Sequence, residues 1–431
     1  MSVDYDIVVI GMSAHAQKLV SFAVQCEARV AWVWDQEFCD QYSNAYLNID
    51  QIDHILLLLQ NKLSNCPKSE RVHFFAQQIS SIRDNFCQEE LLEILQKNGV
   101  DVIIGECKFQ GKVHNSHVLE VSETAFSERS RAFSQRSLSS RAYAIAHDIT
   151  PQRKIFGLAE YNYLTANQLL NLKDLPNSIA VLGDDSKACA IAQAINFLGI
   201  NTSLVTDHNH ILPNVDVAIA RTLQAQLEAE GINVYTNTQT TAVSQIEHSR
   251  IRIWLDNQTI ECDRLLIPVA PKEFYFPRDR HIYQCHGDQD IAKILQQTLQ
   301  TGFWRSSSIP QIPTMINVST TPTVAQVGMT ELFAKQKYGQ ALYILQSSAE
   351  NSLCKIICNY KGQILGASMF GDRAKLVIEA IAIAMQGKVN VQNIAVLQEL
   401  QITEQWEKLH RDRSQQAKFK NWFTFRRDWN I

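Results

Sequence analysis

The chain has no apolar run approaching the roughly 18 residues that a membrane-spanning helix needs. Its first residues lack the basic, apolar and small-residue order of a signal peptide. It also has no CxxC pair and no cysteine spacing suited to a metal, because its ten cysteines are scattered over 431 residues. That usage reads as reduced thiols in a cytoplasmic protein. The nearest two, Cys354 and Cys358, share a strand-like run. At about 3.3 Å per residue they stand roughly 13 Å apart, too far to bridge. Charge of one sign is lacking too: the net charge of −4 implies no bulk attraction to nucleic acid.

What is present is a repeated strand–turn–helix–strand unit. Ile7 to Ile10 is a buried-strand run that stops at Gly11, and small residues follow at Ser13, Ala14 and Ala16. Leu19, Phe22 and Ala23 continue at helical spacing, and Val30 to Trp34 ends on Asp35. The stretch from Ile179 to Asp207 repeats the pattern around Gly183. Asp35 follows Gly11, and Asp207 follows Gly183, at the same separation of 24 residues. In such a unit the first turn is where a dinucleotide pyrophosphate meets a helix N-terminus, and the second strand ends on a ribose-binding acid. The same residues equally let a strand turn tightly into a helix.

Between the repeats, apolar stripes predict helices over 50–63, 69–82 and 88–97, the last ended by Asn98-Gly99. Strands are expected over 100–109, 118–121 and 142–145. The Ser/Arg-rich stretch 122–141 reads as an exposed, mobile hairpin extension, with a basic, phosphorylatable docking loop as the alternative. After Asp207 a helix over 215–230 and strands over 233–235, 250–255 and 264–267 are expected. His114 with His117, and His208 with His210, lie in polar stretches without a third ligand and read as solvated surface, so no metal site is expected.

The chain resembles the pyridine nucleotide-disulfide oxidoreductase family, in its dihydrolipoamide dehydrogenase and mercuric reductase branch. The approach to the second repeat carries the likeness at Gly157, Leu158, Tyr163, Leu164, Thr165, Leu169, Leu170, Leu175, Pro176 and Ser178. So do Ile282 to Asp288 (IYQCHGD), Thr321 to Glu331 and Gly362 to Gly387. The resemblance implies an α/β fold: two interleaved Rossmann-like FAD/NAD(P)-binding domains plus a C-terminal α+β dimerisation domain. The expected limits are 1–150 and 272–310 for the FAD-binding-like domain, 151–271 for the NAD(P)-binding-like domain and 311–408 for dimerisation. Residues 409–431 form a basic-aromatic tail, which either packs on its own protomer or docks on a membrane surface or acidic partner.

The family's chemistry is where the likeness fails. Its CxxxxC redox pair is absent after Asp35, leaving Cys39 alone, and its HPTxxE becomes ELQITE, with Glu399 in the histidine's place and Glu404 kept. A carboxylate there does not titrate near neutrality as an imidazole does. The second fingerprint reads Gly183-Asp184-Asp185-Ser186-Lys187-Ala188, with Asp185 where glycine lets the backbone approach pyrophosphate. At about 4 Å and an effective dielectric near 20, a carboxylate facing a phosphate costs on the order of 4 kcal/mol. The ATG turns become Ala146-His147-Asp148 and Pro268-Val269-Ala270. FAD stays compatible with the first site, through Gly11, Ser13, Ala16, Asp35, Gly287 and Asp288; NAD(P) is not expected at the second. The resulting expectation is a homodimeric pseudoenzyme serving as a binding or regulatory protein. The alternative is an active flavin oxidoreductase using Cys39 as a single redox thiol. The homodimer is expected through the apolar helix that carries Leu376, Ile378, Ala380, Ile381, Ile383 and Ala384.

Overall fold

A computed structural model describes residues 4–11, 13–34, 67, 70–71, 75, 95–113, 116–123, 134–146, 155–158, 163–170, 175–246, 250–256, 258–268, 279, 281–285, 288–299, 315–339, 341–349, 351–394, 402 and 404–413. The chain forms two compact units. Elements are numbered in chain order through both.

The first unit comprises Met1–Gly183, Ala194–Val205 and Thr238–Ile309. Its main sheet sets strands β1 (Tyr5–Ile10), β2 (Val30–Trp34), β3 (Val100–Val113), β5 (Ser134–Ile145) and β13 (Ile282–Gln284) in the parallel order β3-β2-β1-β5-β13. Strands buried on both faces explain the unbroken apolar runs. Ile7, Val9, Trp32 and Trp34 face Leu19, Val20 and Ala23 of helix α1 (Ala14–Gln25). Val8, Ile10, Ala31 and Val33 point the other way, onto Leu119, Val121 and Leu138.

The Ser/Arg-rich stretch is partly a correction. Strand β4 (Ser116–Glu123) pairs antiparallel with β5 from Val118↔Ser139 to Glu123↔Ser134. Leu138 and Ser140 are buried, so the second half of the stretch belongs to the sheet. Arg136 is absorbed there: its Nη2 donates to Asp101 Oδ2 at 2.5 Å and to the Tyr5 hydroxyl at 2.6 Å. Burial and then the Asp101 contact push the Tyr5 phenol up to about 12. Residues 124–133 lie outside the described residues, as does the expected helix 50–63. Of the stripe 88–97, Leu95–Lys97 is helical and closes at Gly99, whose φ is +82°.

The second repeat gives β6 (Ser178–Leu182) and β7 (Asn201–Val205), parallel to each other and to β12 (Arg264–Leu266). Three short antiparallel strands, β9 (Thr240–Gln245), β10 (Ile251–Leu255) and β11 (Thr259–Cys262), stand beside one another in the order β11-β10-β9. Helix α2 (Ala166–Leu170) precedes β6, and α3 (Ser186–Phe197) joins β6 to β7. Helix α5 (Asp288–Leu299) follows β13.

The second unit comprises Asp184–Gln193, Thr206–Asn237 and Pro310–Ile431. Helix α4 (Val217–Ala229) starts two residues later than expected because Asp216 caps it, accepting from Ala218 N at 3.1 Å. Strand β8 (Asn233–Tyr235) follows it. Strands β14 (Met315–Val318), β15 (Val324–Gly328), β16 (Leu342–Ala349), β17 (Ser352–Asn359) and β18 (Ile364–Phe370) form an antiparallel sheet in the order β14-β15-β18-β17-β16. Helix α6 (Glu331–Tyr338) lies between β15 and β16. Helix α7 (Ala374–Gln386) lays Val377, Ile378 and Ile381 on that sheet, against Ala325, Ile356, Ala367 and Met369. Its outer side is apolar too, with Leu376 68% and Ile383 71% exposed and Ala380 exposed between them. Further along, Arg413 donates to the Leu342 carbonyl at 3.1 Å and covers the Tyr343 ring at 4.4 Å, so it packs on its own sheet. Residues 414–431 lie outside the described residues. Among those described, no helix is long and apolar enough to cross a membrane.

Candidate functional site

The first turn is built from β1, α1 and the end of β2. Gly11 sits at φ +110°, a conformation that a side chain resists. Its N–H donates to Val33 O at 3.1 Å, and its carbonyl accepts the Trp32 indole N–H at 2.6 Å. Both bonds fix the turn without using a polar side chain of the loop. Ser13 is the N-cap, with Oγ accepting from Ala16 N at 3.1 Å. Ala16 is fully buried, so a larger residue would push the helix off the sheet. By helix geometry the N–H groups of Ala14 and His15 have no intrahelical partner and face the end of the strands, where an anion is favoured. The described half of this site fits a dinucleotide. Asp288 is the first residue of α5. Asp35, Gly287, Cys39 and Glu399 lie outside the described residues, as do His147 and Asp148; Glu404 is exposed on a helical segment.

The second turn uses the same backbone plan with different side chains. Gly183 N donates to Val205 O at 3.1 Å, as Gly11 N does to Val33 O. Asp185 Oδ1 accepts from Ala188 N at 2.8 Å, in the role Ser13 plays at the first turn. Asp184 Oδ2 accepts from Thr206 Oγ1 at 2.5 Å and lies 2.5 Å from His208 Nδ1. Asp207, the strand-end acid, places Oδ1 3.3 Å from the same His208 nitrogen. Two backbone bonds hold the arrangement, from Leu212 N to Asp184 O at 2.7 Å and from Asn237 N to His208 O at 2.7 Å. A dinucleotide here would meet the carboxylates of Asp184 and Asp185 at its phosphates, and an acid already engaged by His208. These carboxylates do not suit the phosphates of NAD(P), and the described half of the first turn carries no such group. The sequence names Asp184, Asp207 and His208 singly; no local signal joins them, because 22 residues separate Asp184 from Thr206.

A second polar cluster follows on α4. Lys355 Nζ donates to Asp216 Oδ1 at 2.8 Å and pairs with Glu331 Oε2, with the Lys355 side chain only 7% exposed. Glu331 N donates to Asp216 Oδ2 at 3.1 Å, and Asp216 N to Gln326 Oε1 at 2.7 Å. Burial opposes the Lys355 charge, but the two carboxylates outweigh it and hold the ammonium above its ordinary value. Cys354 and Cys358 are buried beside it on β17, and burial pushes each thiol up to about 12. They are packing groups, inert as nucleophiles.

Residues 5–270 match the pyridine nucleotide-disulphide oxidoreductase family, and residues 314–398 match its dimerisation domain. The chain is 22% identical to the mercuric reductase of Staphylococcus aureus over 355 residues, 71% of this chain and 62% of that protein. It is 23% identical to the Bacillus cereus mercuric reductase over 442 residues, 89% of this chain and 67% of that one. It is 24% identical to the dihydrolipoyl dehydrogenase of Bacillus subtilis (strain 168), over 52% of this chain and 58% of that protein. The chain thus spans less than two thirds of the length of two of these relatives. The copper(II) complex of the HOCl-induced flavoprotein disulfide reductase RclA from Escherichia coli (C43S mutant) shares the fold, with TM-score 0.69 and 18% identity over 91% of this chain and 95% of that one. With two nucleotide-type turns ahead of the sheet that carries α7, the chain belongs to the pyridine nucleotide-disulphide oxidoreductase family.

Proposed function

We propose that this chain is a homodimeric member of its family that keeps the first nucleotide site for FAD and serves as a binding or regulatory protein, without dithiol exchange or NAD(P) use. The observation that carries this reading is the engagement of Asp184 by Thr206 and His208 at the second turn. Supporting it are the missing cysteine pair and Glu399 in place of the relay histidine. When bound, FAD supplies redox chemistry at its isoalloxazine. Gly11 would give the pyrophosphate backbone space, Ser13 and Ala16 would keep the helix start small, and Asp35 would accept from a ribose hydroxyl. Gly287 and Asp288 would lie at the ribityl side. The outward stripe of Leu376, Ala380 and Ile383 supports a two-fold contact between copies.

The visible spectrum of the purified protein, followed by NADH and NADPH addition, tests the reading. Flavin bands are expected, with no steady oxidation of either nucleotide in the presence of lipoamide, glutathione or mercuric ion. Steady turnover would overturn the loss of function. A colourless protein that added FAD does not stabilise would overturn the flavin half. Replacing Asp184 and Asp185 together by glycine should raise NADH affinity; no gain would mean that bulk and charge are not the block.

A further inference from the structure

The nearest approach of three metal-capable side chains among the described residues is at the second turn, where donor atoms of Asp184, Asp207 and His208 all lie within 4.8 Å of one another. We infer that these three residues form a site for a divalent transition metal of borderline softness, such as zinc(II) or cobalt(II). One imidazole and two carboxylates are neither the all-oxygen set of magnesium or calcium nor the thiolate set of copper(I). With metal–ligand bonds of about 2.0–2.2 Å, neighbouring donors of a tetrahedral site stand about 3.4 Å apart. Asp207 Oδ1 and His208 Nδ1 are already 3.3 Å apart. Asp184 Oδ2 lies 2.5 Å from the same nitrogen. A metal between the two atoms opens the pair by under 1 Å. A fourth position remains for water on the solvent side.

The surroundings are arranged as an outer shell. Thr206 is fully buried and directs its hydroxyl to Asp184 Oδ2, while accepting from His208 N at 3.1 Å. One side chain therefore orients two ligands. Such outer-shell bonds fix ligand geometry and raise metal affinity. His210 stays outside the set, its Nδ1 lying 2.7 Å from the Ile211 carbonyl. The inference is independent of whether the first turn holds a flavin. It gives the second turn a cation in the place where its carboxylates oppose a dinucleotide.

The test uses the full-length, reduced and metal-stripped protein. Cobalt(II) is titrated by visible absorption and zinc(II) by calorimetry, with circular dichroism confirming that each variant is folded. One site is expected whose cobalt spectrum lacks thiolate charge-transfer bands. His208→Ala should abolish it and Asp184→Asn should weaken it, Thr206→Val should weaken it about tenfold, and His210→Ala should leave it unchanged. If His208→Ala does not fold, the exposed Asp207→Asn variant makes the same comparison. The inference is overturned if the wild-type protein binds neither metal. It is also overturned if the ligand variants keep wild-type affinity, or if every bound cobalt ion shows thiolate bands.

Discussion

The two strand–turn–helix units share a backbone plan and treat polar groups in opposite ways. At Gly11 the loop carries no carboxylate, and the turn is tied by Trp32 and Val33, leaving helix N–H groups for a ligand. After Gly183 the loop carries two carboxylates, and protein groups have taken up their bonds: Ala188, Thr206 and His208. The pattern continues at Asp216, whose two oxygens serve Lys355 and the backbone of Glu331. Identical spacing in such a unit therefore does not imply identical bonding of its polar groups. A turn that leaves helix N–H groups unspent offers an anion-binding end, whereas one whose carboxylates are held by protein donors does not.

The sharpest way to break this contrast is Lys355→Met. It strands the buried Asp216 carboxylate and should cost roughly 3–5 kcal/mol in urea unfolding. Replacing Asp216 and Lys355 together by apolar residues should recover much of that loss. Next in size, Gly11→Val puts a β-branched residue at φ +110° and should cost roughly 1–3 kcal/mol. It should also remove flavin absorbance, whereas the same exchange at Gly183 should leave it unchanged. Ile383→Asp adds charge to an exposed stripe and should turn a dimer into a folded monomer by sedimentation. Ile381→Asp, at a fully buried position, should unfold the chain instead.

The smallest expected effect is a difference in pH sensitivity. The Arg29 guanidinium holds the Asp6 carboxyl below its ordinary range. That contribution is present above the unfolded carboxylate value and is lost as pH falls through the folded one. Lys355 is held above its ordinary value, so its contribution is full below the unfolded lysine value and disappears as pH rises through the folded one. In urea midpoints across pH, the deficit of Asp6→Asn against the parent protein should therefore close toward acid pH, and that of Lys355→Met should shrink toward alkaline pH.

Parallel strands were the most legible part of the sequence, because burial on both faces leaves an unbroken apolar run such as Ile7 to Ile10. The helix on α7 was legible for the same reason, although only the structure divides Ile381, turned inward, from Ile383, turned outward. In the sheet of β9, β10 and β11 only β10 was legible, expected over 250–255; β9 and β11 are short and partly exposed, so their alternation is too brief to stand out. Arg136 looked like part of a solvated Ser/Arg run, since its partners Asp101 and Tyr5 are 35 and 131 residues away. The Asp184–His208 contact was hidden likewise. Motif reading finds residues at fixed offsets, whereas these meet only because two strand ends are brought side by side.

Trp32 and Trp34 have a further consequence. They are buried, edge-to-face with centroids 5.3 Å apart, and one of them is hydrogen-bonded to the glycine of the first turn. Such a pair is an internal fluorophore placed at the ligand end of the strand. A flavin seated on Gly11 would accept its excitation and dim its emission. Tryptophan fluorescence can therefore report occupancy of the first turn in the unmodified protein, without label or substrate.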